Sequence, residues 1–210
     1  MNNPSPTIII GLTGGIGAGK STAESFCQNN GIITADADRW AHDVLENNDV
    51  VINKIVNYFR QIHNVNPLSD NNVLNRKLIA SIAFKNKKTI KFLEQLIHPI
   101  VRQNALEWIK KQRDNNARMA VLIVPLLLES KLHKDVDVVV VISSKVKIRI
   151  NRLKETRDLS EKQVLSRIDN QMCDADRIKH ADYIVENNSS IEEFRNKFSS
   201  VLNRIEKDFN

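Results

Sequence analysis

Fifteen residues near the N-terminus, Ile8 to Thr22, restrict this chain more than any other stretch. They begin as an apolar β-branched run, pass through Gly11, Gly14, Gly15, Gly17 and Gly19, and end in Lys20-Ser21-Thr22. Gly14 to Ser21 match G-x-x-x-x-G-K-[ST] in full, the pattern of a strand–loop–helix phosphate cradle. Such a loop needs residues without side chains, because successive backbone N–H groups must turn inward on one anion. The helix that follows adds its positive end. In this pattern the lysine, Lys20, reaches the β- and γ-phosphates, and the Ser21 hydroxyl is placed to ligate Mg²⁺. The chain has 6 glycines; five lie between Gly11 and Gly19, and the sixth is Gly31. Backbone freedom is concentrated where a ligand must come close. Gly14, Gly15, Ile16, Gly17, Ala18, Gly19, Lys20, Ser21 and Thr22 are the expected nucleotide-binding segment.

At 210 residues, one domain carrying insertions is expected. No apolar run approaches the roughly 18–20 residues of a membrane span. Residues Met1 to Pro6 lack the basic and apolar regions of a signal peptide. The two cysteines, Cys27 and Cys173, share no metal or redox spacing. A reduced, cytoplasmic setting is expected. The net charge is +6, which raises the question of nucleic acid. Yet Lys145 to Lys179 holds ten Lys/Arg against six Asp/Glu, so most of the excess falls in one short region. That suits a small polyanion at one site better than a nucleic-acid groove. Neither a nucleic-acid nor a membrane partner is expected, and a monomer is favoured.

Strand 1 is expected over about 7–12 and helix 1 over about 19–29, closed by Asn29-Asn30-Gly31 as a C-cap. Residues 32–35 read as a short buried strand. From Asp49 to about Asn115 the pattern is mostly helical, with stripes through Val51, Ile55 and Phe59, through Leu74, Leu78 and Ile82, and through Ile90, Leu93, Ile97 and Val101. Pro99 is expected to break or kink the last of these. This block is far longer than an ordinary βα connection and should form its own helical lobe. Continuous apolar runs at 119–124 and 136–142 read as parallel strands covered on both faces. A last strand is expected at 183–185 and a final helix through Phe194, Phe198, Leu202 and Ile205. The result is an α/β P-loop fold: a five-stranded parallel sheet flanked by helices, with ligands beyond the C-terminal strand ends. The expected single domain spans 7–208. Its core is 7–38, 117–143 and 181–208, its helical lobe about 39–116, and its lid about 144–180.

A phosphate loop alone does not define a reaction. N-K-x-D is absent, and no D-x-x-G exists, since Gln28 stands three before Gly31. A guanine-nucleotide switch is thereby disfavoured and small kinases remain. Asp36 and Asp38 follow strand 2. Either could orient or deprotonate an acceptor hydroxyl, or both could be first-turn acids of the next helix. Arg149 and Arg152, three apart, share a helix face. Arg152 and Arg157 are read as arginines that neutralise transferring phosphate charge, and Lys145, Lys147 and Lys154 as a solvated face. His42, His63, His98, His133 and His180 have no zinc spacing, and His98 reads as structural. No acid ends strand 3, where Val124-Pro125-Leu126-Leu127-Leu128-Glu129 stands. Ser21 is then the one named Mg²⁺ ligand, with phosphates, water and Asp38 as further possibilities.

Taken in order, these motifs resemble dephospho-coenzyme A kinase: the loop, Asp36-Ala37-Asp38 with Ala41-His42, Leu74-Asn75-Arg76 with Phe84, His98-Pro99, Pro125 to Glu129, Arg157-Asp158-Leu159-Ser160 with Arg167-Ile168 and Gln171, Ala181-Asp182 and Asn187. The resemblance implies transfer of the γ-phosphoryl of ATP to the ribose 3′-hydroxyl of dephospho-coenzyme A. It implies Asp38, Lys20 and Arg152 as catalytic residues, with Asp38 acting on the acceptor hydroxyl. Gly14 to Thr22, Arg152 and Arg157 would bind ATP. Asp38, His98, Pro125, Leu126 and Glu129 would bind substrate, and Ser21 would bind Mg²⁺. Ala18 stands where this family usually has serine, and Leu128 where phenylalanine is common.

Overall fold

The computed structural model describes residues 7–115, 117–156 and 160–209, with the backbone of Arg157. The chain forms two compact units, one from the residues up to Asp36 and from Leu106 onward, the other Ala37–Ala105. In the first unit, strands β1 (Ile8–Gly14), β2 (Ile33–Asp36), β3 (Met119–Ile123), β4 (Val138–Ser143) and β5 (Tyr183–Glu186) make one sheet in the order β2-β3-β1-β4-β5. Every pairing is parallel. Ile8 stands opposite Met119, and Gly14, the last residue of β1, stands opposite Ile142. The strand carrying the phosphate loop is thus the central one. It runs two residues further than its apolar pattern suggests, because β4 pairs with it up to Gly14.

The central strands β1, β3 and β4 form because their residues are apolar, rich in β-branched types, and covered on both faces. Strand β2, expected from the sequence as a buried strand, is an edge strand with Ile33 exposed, and β5 at the other edge exposes Ile184. Ile9, Ile10, Leu12, Val121, Leu122 and Val140 are fully buried. One face packs on helix α1 (Lys20–Asn29) and the C-terminal helix (Ile191–Asp208). Phe26 meets Phe198 edge-on at 5.7 Å between ring centroids, and Phe194 stacks on Phe198 at 5.9 Å. Phe194 and Phe198, both fully buried, contribute about 1.5–3 kcal/mol each. Two aspartates pin the strand starts at the end away from the loop. Asp137 accepts from the Ile9 amide at 2.8 Å and Asp182 from the Val139 amide at 2.7 Å. The Ala181-Asp182 motif therefore has a plain structural use.

Cys27 sits fully buried in this core. Burial, with the nearby Glu24 carboxylate adding to it, pushes its thiol up to about 12. Cys173 is exposed. Alkylation of the native protein at pH 8 should therefore label Cys173 alone, with Cys27 reacting only in denaturant. Intact-mass counting of adducts checks this; two fast native adducts would contradict the placement.

The second unit is helical: α2 (Ala37–Asn47), α3 (Asp49–His63), α4 (Arg76–Ala83) and the first part of α5 (Lys87–Asp114). Val44, Val51, Ile55, Val56, Phe59, Leu74 and Ile79 form its own core. Tyr58 stacks on Phe92 at 3.9 Å, and His63 Nε2 meets the Thr89 hydroxyl at 2.8 Å. Asn48 and Asn75 cap α3 and α4 through their side chains. Pro99 does not break its helix, since α5 runs through it for 28 residues. One missing ladder bond is outweighed where Leu93, Leu96 and Ile100, on the turns flanking it, pack on the unit's core.

Beyond β4, the first unit adds α6 (Val146–Arg157), α7 (Glu161–Asp169) and α8 (Asp174–Ile178), with the C-terminal helix as α9. Ser160 and Gln163 close a full capping box on α7.

Candidate active site

The loop between β1 and α1 takes the shape its glycines permit. Gly17 and Gly19 have φ of 73° and 114°, the left-handed region that a side chain disfavours. The Ala18 amide donates to Gly15 O at 3.1 Å and closes the turn. Lys20 Nζ folds over the rim, donating to Gly14 O at 2.7 Å and Gly15 O at 3.2 Å. Helix α1 starts at Lys20, its N-cap Gly19 supplies no side-chain cap, and its first turn holds no acid. The positive end of the helix is left for an anion. Ser21 is exposed and Thr22 half-buried in that same first turn.

The segment after β4 packs directly on this loop. Gln171 Oε1 accepts from the Ile16 amide at 2.9 Å. Asn187, just past β5, donates from Nδ2 to Ala18 O at 2.8 Å and accepts at Oδ1 from Arg152 Nη2 at 3.0 Å. Arg152 is thereby one side chain removed from the loop, and its Nη1 is buried without a hydrogen-bond partner among the described residues. A phosphate oxygen would satisfy that donor. Leu153 lies against Gly17, where a Cβ would meet its side chain at 3.0 Å. Ala18 is buried and contributes its carbonyl, which accepts from Asn187.

Gly19 is the tightest point that combines strain with contact. A Cβ there would lie 2.1 Å from Asn187 Nδ2 and would sit on a φ of 114°. Gly19→Ala should lower unfolding free energy by about 1–3 kcal/mol and weaken ATP binding at least tenfold. Denaturant unfolding and ATP titration measure the two effects; unchanged ATP affinity would contradict the loop geometry.

The other residues expected from sequence fall as follows. Asp36 is the last residue of β2, opposite Ile123. Asp38 is exposed in the first turn of α2. His98 is half-buried in α5 of the helical unit. Pro125 and Leu126 follow β3 after Val124, half-buried, and Pro125 O accepts from the buried Thr13 hydroxyl at 3.2 Å. Glu129 is exposed and accepts from the Met172 amide at 3.4 Å, tying the β3 turn to the segment before α8. The side chain of Arg157 lies outside the described residues. Among the described residues there is no group of three or more His, Cys, Asp or Glu that could hold a metal.

Two loop partners, Gln171 and Asn187, emerge from geometry rather than from local pattern. Gln171 is 155 positions from the amide it meets, and no periodicity signals such a pairing. Arg149, which the sequence places only on a shared helix face with Arg152, is buried.

A parallel sheet in this order, with a phosphate loop leaving its central strand and a basic helical segment packed on that loop, defines a P-loop kinase fold. The family model for dephospho-CoA kinase matches residues 8–193. A Lactobacillus johnsonii dephospho-CoA kinase is 34% identical over 199 residues, covering 95% of this chain and 98% of the relative. Among solved structures, a Thermus thermophilus protein superposes with a TM-score of 0.77 at 26% identity, and a Campylobacter jejuni dephospho-CoA kinase with 0.70 at 28%. Each covers 95% of this chain and 98% of its own. The chain belongs to the dephospho-CoA kinase family, transferases that phosphorylate dephospho-CoA with ATP in the final step of coenzyme A biosynthesis.

Proposed function

We propose that this chain transfers the γ-phosphoryl of ATP to the ribose 3′-hydroxyl of dephospho-CoA, and that the residues divide the work as follows. Gly14 to Thr22 hold the polyphosphate through backbone N–H groups and the helix end. Lys20 exchanges its resting bonds to Gly14 O and Gly15 O for phosphate oxygens. Arg152 supplies charge to the transferring group through Nη1, which has no hydrogen-bond partner among the described residues, with Arg157 as a second arginine of the same segment. Asp38 orients the acceptor hydroxyl and takes its proton. His98, Pro125, Leu126 and Glu129 contact the acceptor substrate. The helical block at about 39–116 serves as substrate lobe, and about 144–180 as lid.

The residues present fit Mg²⁺ of the kind that rides on a nucleotide. The absence of a carboxylate cluster among the described residues argues against an all-protein cage, and Ser21 stands at the loop, in the first turn of α1. Mg²⁺ keeps several waters and uses phosphate oxygens with few protein ligands. When bound, it neutralises charge on the β- and γ-oxygens. The two free thiols fit a reducing, cytoplasmic setting, and a monomer suffices for this assignment of roles.

The observation that carries this reading is the intact phosphate loop on a chain matched by the family model over 8–193. Product analysis tests the finer part. Phosphorus NMR of the product should show a new phosphomonoester that a 3′-nucleotidase removes. A phosphate resistant to that enzyme would contradict the 3′ assignment.

A further inference from the structure

The most unusual chemistry outside the assigned residues lies directly behind Gly15. Arg149 in α6 is 2% exposed. A Cβ on Gly15 would stand 1.7 Å from Arg149 Nη1 and 3.4 Å from Asp174 Oδ1. The guanidinium therefore occupies the room that the glycine leaves. Asp174 holds it, with Oδ2 3.1 Å from Arg149 Nη2. The same carboxylate holds a second buried guanidinium, Arg177, with Oδ1 2.7 Å from its Nη1. Arg177 is 1% exposed.

Two arginines share one carboxylate, so the cluster carries an uncancelled positive charge. Arg149 Nε and Arg177 Nε and Nη2 are buried with no hydrogen-bond partner among the described residues. Burial pulls the Arg149 guanidinium below its ordinary value, Asp174 opposes this, and Arg177 adds to it. A cluster built only to anchor the lid gains little from this arrangement. Buried ion pairs seldom stabilise more than apolar packing does, and unpaired buried donors are unfavourable. What the arrangement does supply is charge in a poorly screened place, packed on the backbone of a phosphate-binding loop.

We propose that Arg149 is a positioning residue of the donor site, buttressing Gly15 from behind and lending its charge to the nucleotide polyphosphate through the loop, without touching the nucleotide. Asp174 and Arg177 set its orientation. The inference rests on the reading that ATP occupies the Gly14–Thr22 loop.

The test uses full-length protein as wild type, Arg149→Gln and Arg149→Lys. ATP affinity is measured by calorimetry, and KM is measured for ATP and for dephospho-CoA. Arg149→Gln should raise Kd and KM for ATP by roughly tenfold to a hundredfold, leaving KM for dephospho-CoA within twofold. Arg149→Lys, which keeps the charge, should stay within about threefold of wild type for ATP. The inference is overturned if a folded Arg149→Gln keeps wild-type ATP affinity. It is also overturned if that variant loses both substrates equally, as a purely structural anchor would. Should Arg149→Gln not fold, Arg149→Lys decides alone: a folded protein with near-wild-type ATP affinity supports the role, and an unfolded or ATP-deficient one refutes it. A wild type that binds no ATP would instead remove the donor-site reading itself.

Discussion

Lys20→Ala should lower kcat/KM for ATP by roughly 10²–10³, equivalent to several kcal/mol of lost transition-state stabilisation. The effect is large because charge moves in the reaction. As the γ-phosphoryl leaves, negative charge builds on the oxygens the ammonium faces, and a preorganised cation at a loop mouth needs no solvent to reorganise. Lys20 is well placed for this. Its ammonium already lies at the mouth of the loop, bonded to Gly14 O at 2.7 Å and Gly15 O at 3.2 Å. Neutral carbonyls hold it weakly compared with phosphate oxygens. Stability should fall little, because Lys20 is half-exposed. Steady-state kinetics with a thermal melt separates the two effects, and full activity in a folded variant would refute the loop assignment.

Asp38→Asn should lower kcat by roughly 10²–10⁴ while ATP affinity stays within about threefold. An asparagine keeps the size and one acceptor oxygen but cannot take a proton. The comparison with Asp36→Asn is decisive. Asp36 ends β2 and Asp38 lies in the first turn of α2, so two residues of separation put one carboxylate at a strand end and the other on a helix turn. If Asp38 is the base, its variant suffers the large kcat loss and the Asp36 variant does not. Should Asp38→Asn retain more than a third of wild-type kcat, the proton-transfer role goes to another group.

Much of this molecule could be read from residues alone, for reasons tied to local chemistry. The phosphate loop was legible because its constraint is a fixed spacing of glycines before lysine and serine. The three central strands were legible because a parallel sheet covered on both faces demands unbroken apolar runs rich in β-branched residues, as at Val138 to Ile142; the edge strands β2 and β5 are shorter and partly exposed. Of the break or kink that Pro99 suggests, the break does not occur, because sequence registers the lost amide and not the packing that carries α5 across it. Most hidden were the contacts between distant segments. Asn187 joins Ala18 to Arg152 across 169 and 35 positions, and Arg149, Asp174 and Arg177 meet behind Gly15. An arginine at helical spacing reads as solvated until a fold shows what covers it. Arg149 shared a face with Arg152 in the sequence, yet only tertiary packing shows Arg149 held by Asp174 against Gly15 and Arg152 held by Asn187.

The most direct test is coupled ADP detection with purified protein, ATP, Mg²⁺ and dephospho-CoA, run beside AMP and shikimate as alternative acceptors. One ADP should form per dephospho-CoA consumed, with turnover on the other two at the level of background ATP hydrolysis. ADP release that is independent of dephospho-CoA, or equal turnover with AMP or shikimate, would contradict the account.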